Sequence, residues 1–150
     1  MTGAAPTDTA AKPVVLLTGA TGNLGRSIAD HLAPDYRVIG LDRSTDGGEP
    51  FRVIEADLSD ADDIGKALDA VQAEVGDRIA SVVHLAAYFD FTGEAHPLYE
   101  ALNVAGTRAL LEQLRTRFTI EQFVHASSML VHSPCSPGER IDEDAPIEPR

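Results

Sequence analysis

Apolar residues in this chain fall into two alternating kinds of segment: short continuous runs, and longer stretches in which they recur every three or four positions. Val14-Val15-Leu16-Leu17 is the first run, and unbroken apolarity over so short a length predicts a parallel strand covered on both faces. It ends at glycines. From Asn23 onward Leu24, Ile28 and Leu32 fall four apart, one stripe of a helix, with Pro34 just past its end. Val38-Ile39-Gly40-Leu41 predicts a second strand that closes at Asp42, before a polar turn over residues 43–50. A third strand is expected over Phe51 to Ala56, stopping at Asp57-Leu58.

Ile64, Leu68, Val71 and Val75 mark a second helix, and Ser59-Asp60 with the acids that follow suit a helix start. Ser81 to Ala87 reads as strand four. A loop carrying Tyr88, Phe89 and Phe91 follows, then a long helix from about Pro97 to Phe118, and Phe123 to Ser128 as strand five. Strands alternating with helical crossovers imply an α/β fold. It is expected to be a Rossmann-type doubly wound parallel sheet in the order 3-2-1-4-5, truncated after strand five, with the glycine loop at the switch point.

The 150 residues, 43% of them hydrophobic, suffice for one domain with a real core. A net charge of -12, from 24 acidic and 12 basic residues, repels phosphate backbones and anionic lipid. The basic residues are scattered, and the closest pair, Arg115 and Arg117, sits where cations favour a helix C-terminus. Neither a nucleic acid nor a membrane is therefore expected as a partner. The lone Cys135 has no Cys or His neighbours at ligand spacing, which excludes an internal disulfide and a zinc site and fits a reducing, cytoplasmic setting.

Thr18-Gly19-Ala20-Thr21-Gly22-Asn23-Leu24-Gly25 lies between the first strand and the first helix. The three glycines are expected there for separate reasons, namely a tight turn at Gly19, backbone approach to a pyrophosphate at Gly22, and close helix-to-strand packing at Gly25. The amides of Asn23 and Leu24 would then face the anion, and Thr21 belongs to the same loop. Asp42, about 20 residues further on at the end of strand two, is placed to accept the two ribose hydroxyls of adenosine and would repel a 2'-phosphate. Arg43 beside it would stack on adenine or pair with a phosphate, so NAD is favoured and NADP stays open.

His84, inside an apolar strand, reads as a satisfied core histidine. His125 and Ser127 lack the Gly-x-Ser-x-Gly turn that would expose a nucleophilic serine.

These pieces, with Asp57-Leu58, His84-Leu85-Ala86-Ala87, Asn103-Val104-Ala105-Gly106-Thr107 and Ser127-Ser128, resemble the short-chain dehydrogenase/reductases, and within them the extended, epimerase/dehydratase-like branch. The resemblance spans Val14 to about Pro149. It implies an NAD(P)-dependent oxidoreductase, epimerase or dehydratase that moves a hydride at a carbinol or carbonyl carbon. It also implies that Asp57 and Leu58 flank adenine, that Leu85, Ala86 and Ala87 line ribose and nicotinamide, and that Asn103 orients the site. Ser128, with Ser127 as the close alternative, would bind the substrate oxygen.

The family's tyrosine, four residues before a lysine, is missing: Tyr36, Tyr88 and Tyr99 are followed at that spacing by Gly40, Thr92 and Asn103. The phenol is the general acid/base, so the chain as it stands should hold a cofactor better than it uses one. A second departure is Val131-His132-Ser133, where the family has valine, tyrosine and glycine; His132 either reshapes substrate contacts or packs in the loop.

The organisation expected is a disordered leader over 1–12, an NAD(P)-binding domain over 13–133, and a Pro- and acid-rich loop over 134–150 leading to a missing C-terminal part. The partners implied are a small-molecule substrate, a nucleotide sugar or another alcohol or ketone, and a second subunit in a full-length homodimer. A non-catalytic NAD(P)-binding sensor or scaffold is the rival reading. Methyl transfer from S-adenosylmethionine is disfavoured by the Asn103 and Ser127-Ser128 elements. A sheet stopping at strand five would leave an apolar strand as an open edge, which predicts poor autonomy for the isolated chain.

Overall fold

A computed structural model of the chain describes residues 12–45, 47–92 and 94–148. Five parallel strands, β1 (Val14–Thr18), β2 (Arg37–Asp42), β3 (Arg52–Glu55), β4 (Arg78–His84) and β5 (Thr119–His125), form one sheet in the order β3-β2-β1-β4-β5. That is the doubly wound order expected. Helix α1 (Asn23–Leu32) connects β1 to β2, and α2 (Ala61–Val75) connects β3 to β4. A π-helical stretch, Tyr99–Gly106, runs into α3 (Thr107–Arg117) before β5. Of the leader expected over 1–12, all but Lys12 lies outside the described residues.

Side chains alternate across a strand, so adjacent residues of β1 serve opposite faces. Leu16, fully buried, joins Ile64, Leu68 and Val71 of α2 and Leu110 and Leu114 of α3 in the larger core. Leu17, equally buried, joins Ala29 of α1 and Val38 in the smaller one, with Ile28 and Leu32 against it. Val83 still packs on this second cluster, but its register partner Val124 in β5 is 40% exposed. Helix α1 thus covers the middle of its face and leaves the β5 end open.

Three elements differ from the sequence reading by more than a residue at an end or in their continuity. Strand four runs over Arg78–His84 and not Ser81 to Ala87, because pairing with β1 ends at Thr18↔His84; Leu85, Ala86 and Ala87 are loop. Their apolarity serves a cleft. Strand five is Thr119–His125 and not Phe123 to Ser128. Its polar Thr119, Glu121 and Gln122 are exposed on an edge strand, where no apolar run is required to mark them. The long helix is interrupted: the Thr107 N–H reaches Leu102 O, five residues back, a local widening that side-chain spacing does not reveal.

Residues 134–148 are irregular apart from turns and an antiparallel bridge, His132↔Ile147. No helix among the described residues is long and apolar enough to cross a membrane.

Candidate functional site

A cleft of about 420 Å³ opens at the C-terminal ends of β1, β2, β3 and β4, where a doubly wound sheet places ligands. Its floor is the glycine loop. Gly19 has φ 69°, a left-handed conformation, and a Cβ there would lie 2.9 Å from the Ala86 nitrogen. A Cβ on Gly25, buried in the first turn of α1, would overlap the Gly19 carbonyl oxygen and the Ala20 backbone. Both glycines are demanded by the protein's own packing.

Gly22 is not. Its backbone is extended, φ -70° and ψ 165°, and a Cβ would meet nothing nearer than the Gly19 oxygen at 3.4 Å. Gly22 lines the cleft, so the room it leaves faces ligand space. It is also the N-cap of α1, where among the described residues no side chain accepts a first-turn backbone N–H, Asn23 and Leu24 included, and no acidic residue stands there. The start of α1 therefore offers N–H groups and a positive dipole end without a built-in anion. A pyrophosphate fits that arrangement of charge, and the Leu24 side chain, 59% exposed, points away from the core.

Asp42 terminates β2 and lines the cleft beside Thr21. One carboxylate oxygen accepts the Thr21 N–H at 2.8 Å, and the other accepts the Arg43 N–H at 2.7 Å. Asp42 thus braces the glycine loop, and each oxygen keeps a further lone pair for a hydroxyl donor. Arg43 is exposed at the rim.

Asp57 and Leu58 form the next wall, with Leu58 buried and Asp57 exposed. Ser59 donates its hydroxyl at 2.6 Å and its N–H at 2.9 Å to one Asp57 oxygen, which holds that carboxyl below its usual range, with Arg43 adding a smaller pull.

Leu85, Ala86 and Ala87 close the opposite side, and His84 beneath them explains their shape. Thr18 Oγ1 accepts the N–H groups of Leu85 at 3.2 Å and Ala86 at 3.1 Å, so its own proton goes to His84 Nδ1, 2.7 Å away. The His84 proton is then on Nε2, donated to Thr107 Oγ1 at 2.9 Å. A protonated ring would aim a second N–H at a hydroxyl whose lone pairs are already used. Burial, and to a smaller extent the neighbouring His125, lowers the His84 pKa to about 4. The histidine is a satisfied core residue, as its apolar strand implied.

Asn103, on the π-helical stretch, clasps the loop after β4: its Oδ1 accepts the Tyr88 N–H at 2.7 Å and its Nδ2 donates to Tyr88 O at 2.9 Å. It does not line the cleft; it positions Tyr88, which does. Tyr88 stacks on His96 at 4.5 Å and meets Tyr99 edge-on at 5.0 Å. The aromatic loop is visible in the sequence, but no motif there assigns Tyr88 to the site, nor Ser44, Ala56, Leu98 and Leu102, which complete the lining. For Tyr88, Ser44, Ala56 and Leu102 the only signal is adjacency to motif residues, and Leu98 has none.

Ser127 and Ser128 lie beyond β5, exposed, and neither is among the lining residues. Ser128 Oγ accepts the Leu130 N–H at 3.2 Å and caps the short 3-10 turn Met129–Val131. His132 packs in its loop, with Nδ1 donating to Ala145 O at 3.2 Å. Among the described residues no three His, Cys, Asp or Glu side chains converge as a metal site.

Sheet order, glycine loop and cleft together define a Rossmann-type α/β domain. The model of the NAD dependent epimerase/dehydratase family matches residues 15–150, and the chain belongs to that family. A short-chain dehydrogenase/reductase superfamily protein from Agrobacterium tumefaciens, solved with bound NAD, is 27% identical with TM-score 0.71, over 91% of this chain and 39% of that one. The UDP-glucose 4-epimerase of Thermus thermophilus, solved with NAD, is also 27% identical with TM-score 0.71, over 91% and 44%. A mutant uronate dehydrogenase from Agrobacterium tumefaciens, again with NAD, is 25% identical with TM-score 0.67, over 93% and 49%. The chain therefore spans less than half the length of these structures. No curated protein sequence matches it.

Proposed function

We propose that this chain is the cofactor-binding part of an NAD-dependent oxidoreductase or epimerase/dehydratase of the extended short-chain type. The observation that carries this reading is the start of α1: an uncapped helix N-terminus without acids, entered through a Gly22 that packing does not require, beside Asp42. When bound, NAD supplies a hydride acceptor for a carbinol carbon, or as NADH a donor for a carbonyl carbon. The chain's own residues bind and orient. The Asn23 and Leu24 amides hold pyrophosphate, Asp42 accepts the ribose hydroxyls, Asp57 and Leu58 flank adenine, and Leu85 to Ala87 bound the nicotinamide half. Ser128, with Ser127 as alternative, takes the substrate oxygen.

None of the three tyrosines precedes a lysine by four residues, so the proton chemistry is assigned to groups outside these 150 residues. On this reading residues 13–133 form the cofactor domain and 134–150 lead to the substrate-binding part. The intact protein is a cytoplasmic homodimer acting on a nucleotide sugar or another alcohol or ketone. A second reading, a non-catalytic NAD(P)-binding sensor or scaffold, would be favoured by a full-length sequence without the tyrosine and lysine. A full-length protein that binds NADH yet transfers no hydride to any carbonyl offered would decide for it.

Calorimetry with NADH and NADPH on wild type and Asp42→Ala tests the cofactor assignment. NADH should bind the tighter of the two, with Asp42→Ala eroding the preference. Equal or tighter NADPH binding by wild type would overturn the NAD assignment.

A further inference from the structure

The loop after β2 is tied to the glycine loop by a closed circuit of hydrogen bonds. Asp42 accepts the Thr21 N–H, and the Thr21 carbonyl accepts Arg26 Nε–H at 2.9 Å. Arg26 Nη2 reaches Glu49 Oε1 at 2.8 Å, and Glu49 Oε2 accepts the Thr45 hydroxyl at 2.5 Å. Thr45 stands two residues past Arg43, whose N–H returns to Asp42. Glu49 is the keystone: its side chain is 2% exposed, whereas that of Arg26 is 41% exposed. A charged carboxylate is kept this far from water only with strong partners, and both of its oxygens have one. The Thr45 N–H is held separately by Glu55 Oε1 at 3.3 Å, so the loop is fastened to β3 as well.

This circuit sets the shape of the cleft where Arg43 and Ser44 form its rim. It also engages Arg26, the cation on the first turn of α1 bonded to the Thr21 carbonyl, with a carboxylate that does not line the cleft. A 2'-phosphate on the adenosine ribose needs a guanidinium and a loop that can yield. Arg43 offers one guanidinium at the rim, but the circuit engages the other, Arg26, and ties the loop.

We infer that Glu49 is a positioning residue for dinucleotide selection, holding the loop after β2 closed and engaging Arg26 so that a ribose with a free 2'-hydroxyl is accepted and a 2'-phosphate is excluded. The inference rests on the cofactor reading above. It assigns discrimination to a buried carboxylate seven residues beyond Asp42, which does not line the cleft itself.

The test measures NADH and NADPH dissociation constants on wild type, Glu49→Gln, Arg26→Gln and the double variant, with urea midpoints as a check on folding. Glu49→Gln should weaken NADH about threefold and tighten NADPH, so that the NADPH/NADH ratio of dissociation constants falls by roughly tenfold. Arg26→Gln should weaken NADH without any gain in NADPH, and adding it to Glu49→Gln should abolish that variant's gain. A purely structural role would weaken both cofactors by one factor. An unchanged ratio in Glu49→Gln, with wild type preferring NADH, would overturn this inference and leave the cofactor reading standing. Wild type that binds neither cofactor would overturn both. Should Glu49→Gln fail to fold, Thr45→Val opens the same circuit at a half-buried link and should lower the ratio by about threefold; no change there would equally overturn the proposal.

Discussion

Helices α1 and α2 leave the same edge of the same sheet, yet their first turns are finished in opposite ways. Helix α2 is complete in itself: Asp60 accepts the N–H groups of Asp62 and Asp63, and both of those acids stand in the first turn against the dipole. Helix α1 starts on Gly22, has no side-chain cap and no acid in its first turn, and buries Gly25 against Gly19 and Ala20. One helix uses its N-terminus for stability. The other leaves it open at a cleft. A protein of this acidity has carboxylates in excess, so their absence from one helix start is informative where their presence at another is ordinary.

The largest effect should come from removing the close approach on which α1 depends. Gly25→Ala forces a Cβ into the Gly19 carbonyl, and unfolding in urea should show a loss of about 3 kcal/mol or a chain that does not fold. A wild-type midpoint would mean that α1 can slide freely, and the comparison would lose its structural half.

A pH dependence separates the two regions next. His84, below the loop that faces α1, titrates at about 4 in the fold against 6.5 when free, so the unfolded chain binds more protons between those values. Its contribution is intact above 6.5 and lost as pH falls toward 4, on the order of 2 kcal/mol after allowing for screening. Asp57, before α2, is depressed from 3.8, so its contribution is lost only below that value. Urea midpoints measured from pH 7 downward should fall through the first window in wild type and much less in His84→Gln. Parallel curves for the two proteins would contradict the neutral-histidine assignment.

A smaller effect tests α2 directly. Asp60→Ala should cost about 1 kcal/mol of stability and leave NADH affinity unchanged. The smallest is its mirror image: Asn23→Asp places an acid in the first turn of α1 and should gain about 0.5 kcal/mol while weakening NADH. If that substitution left NADH binding intact, the empty first turn would have no bearing on the ligand.

Much of this contrast is legible in the sequence. The glycine loop, the apolar runs of β1 and β2 and the four-residue stripe of α1 imply the strand order, because a strand covered on both faces and a helix covered on one leave distinct periods. Asp60 with its acids marks α2. What stays hidden is hidden for physical reasons. Leu85 to Ala87 are apolar like strand residues but line a cleft, and β5 is partly polar because its edge is uncovered. The π-helical stretch alters backbone pairing without altering the side-chain pattern. The Glu49 circuit joins residues 23 apart through side chains, and nothing in local sequence announces it.

The central claim is that α1 begins at Gly22 for the sake of a ligand and not of packing. Gly22→Ala tests it most directly, since the backbone angles suit alanine and the new Cβ would meet only the Gly19 oxygen at ordinary contact distance. The urea midpoint should match wild type within about 0.5 kcal/mol, while calorimetry should show NADH affinity reduced tenfold or more, about 1.4 kcal/mol. A variant that is equally stable and binds NADH as tightly as wild type would contradict the account.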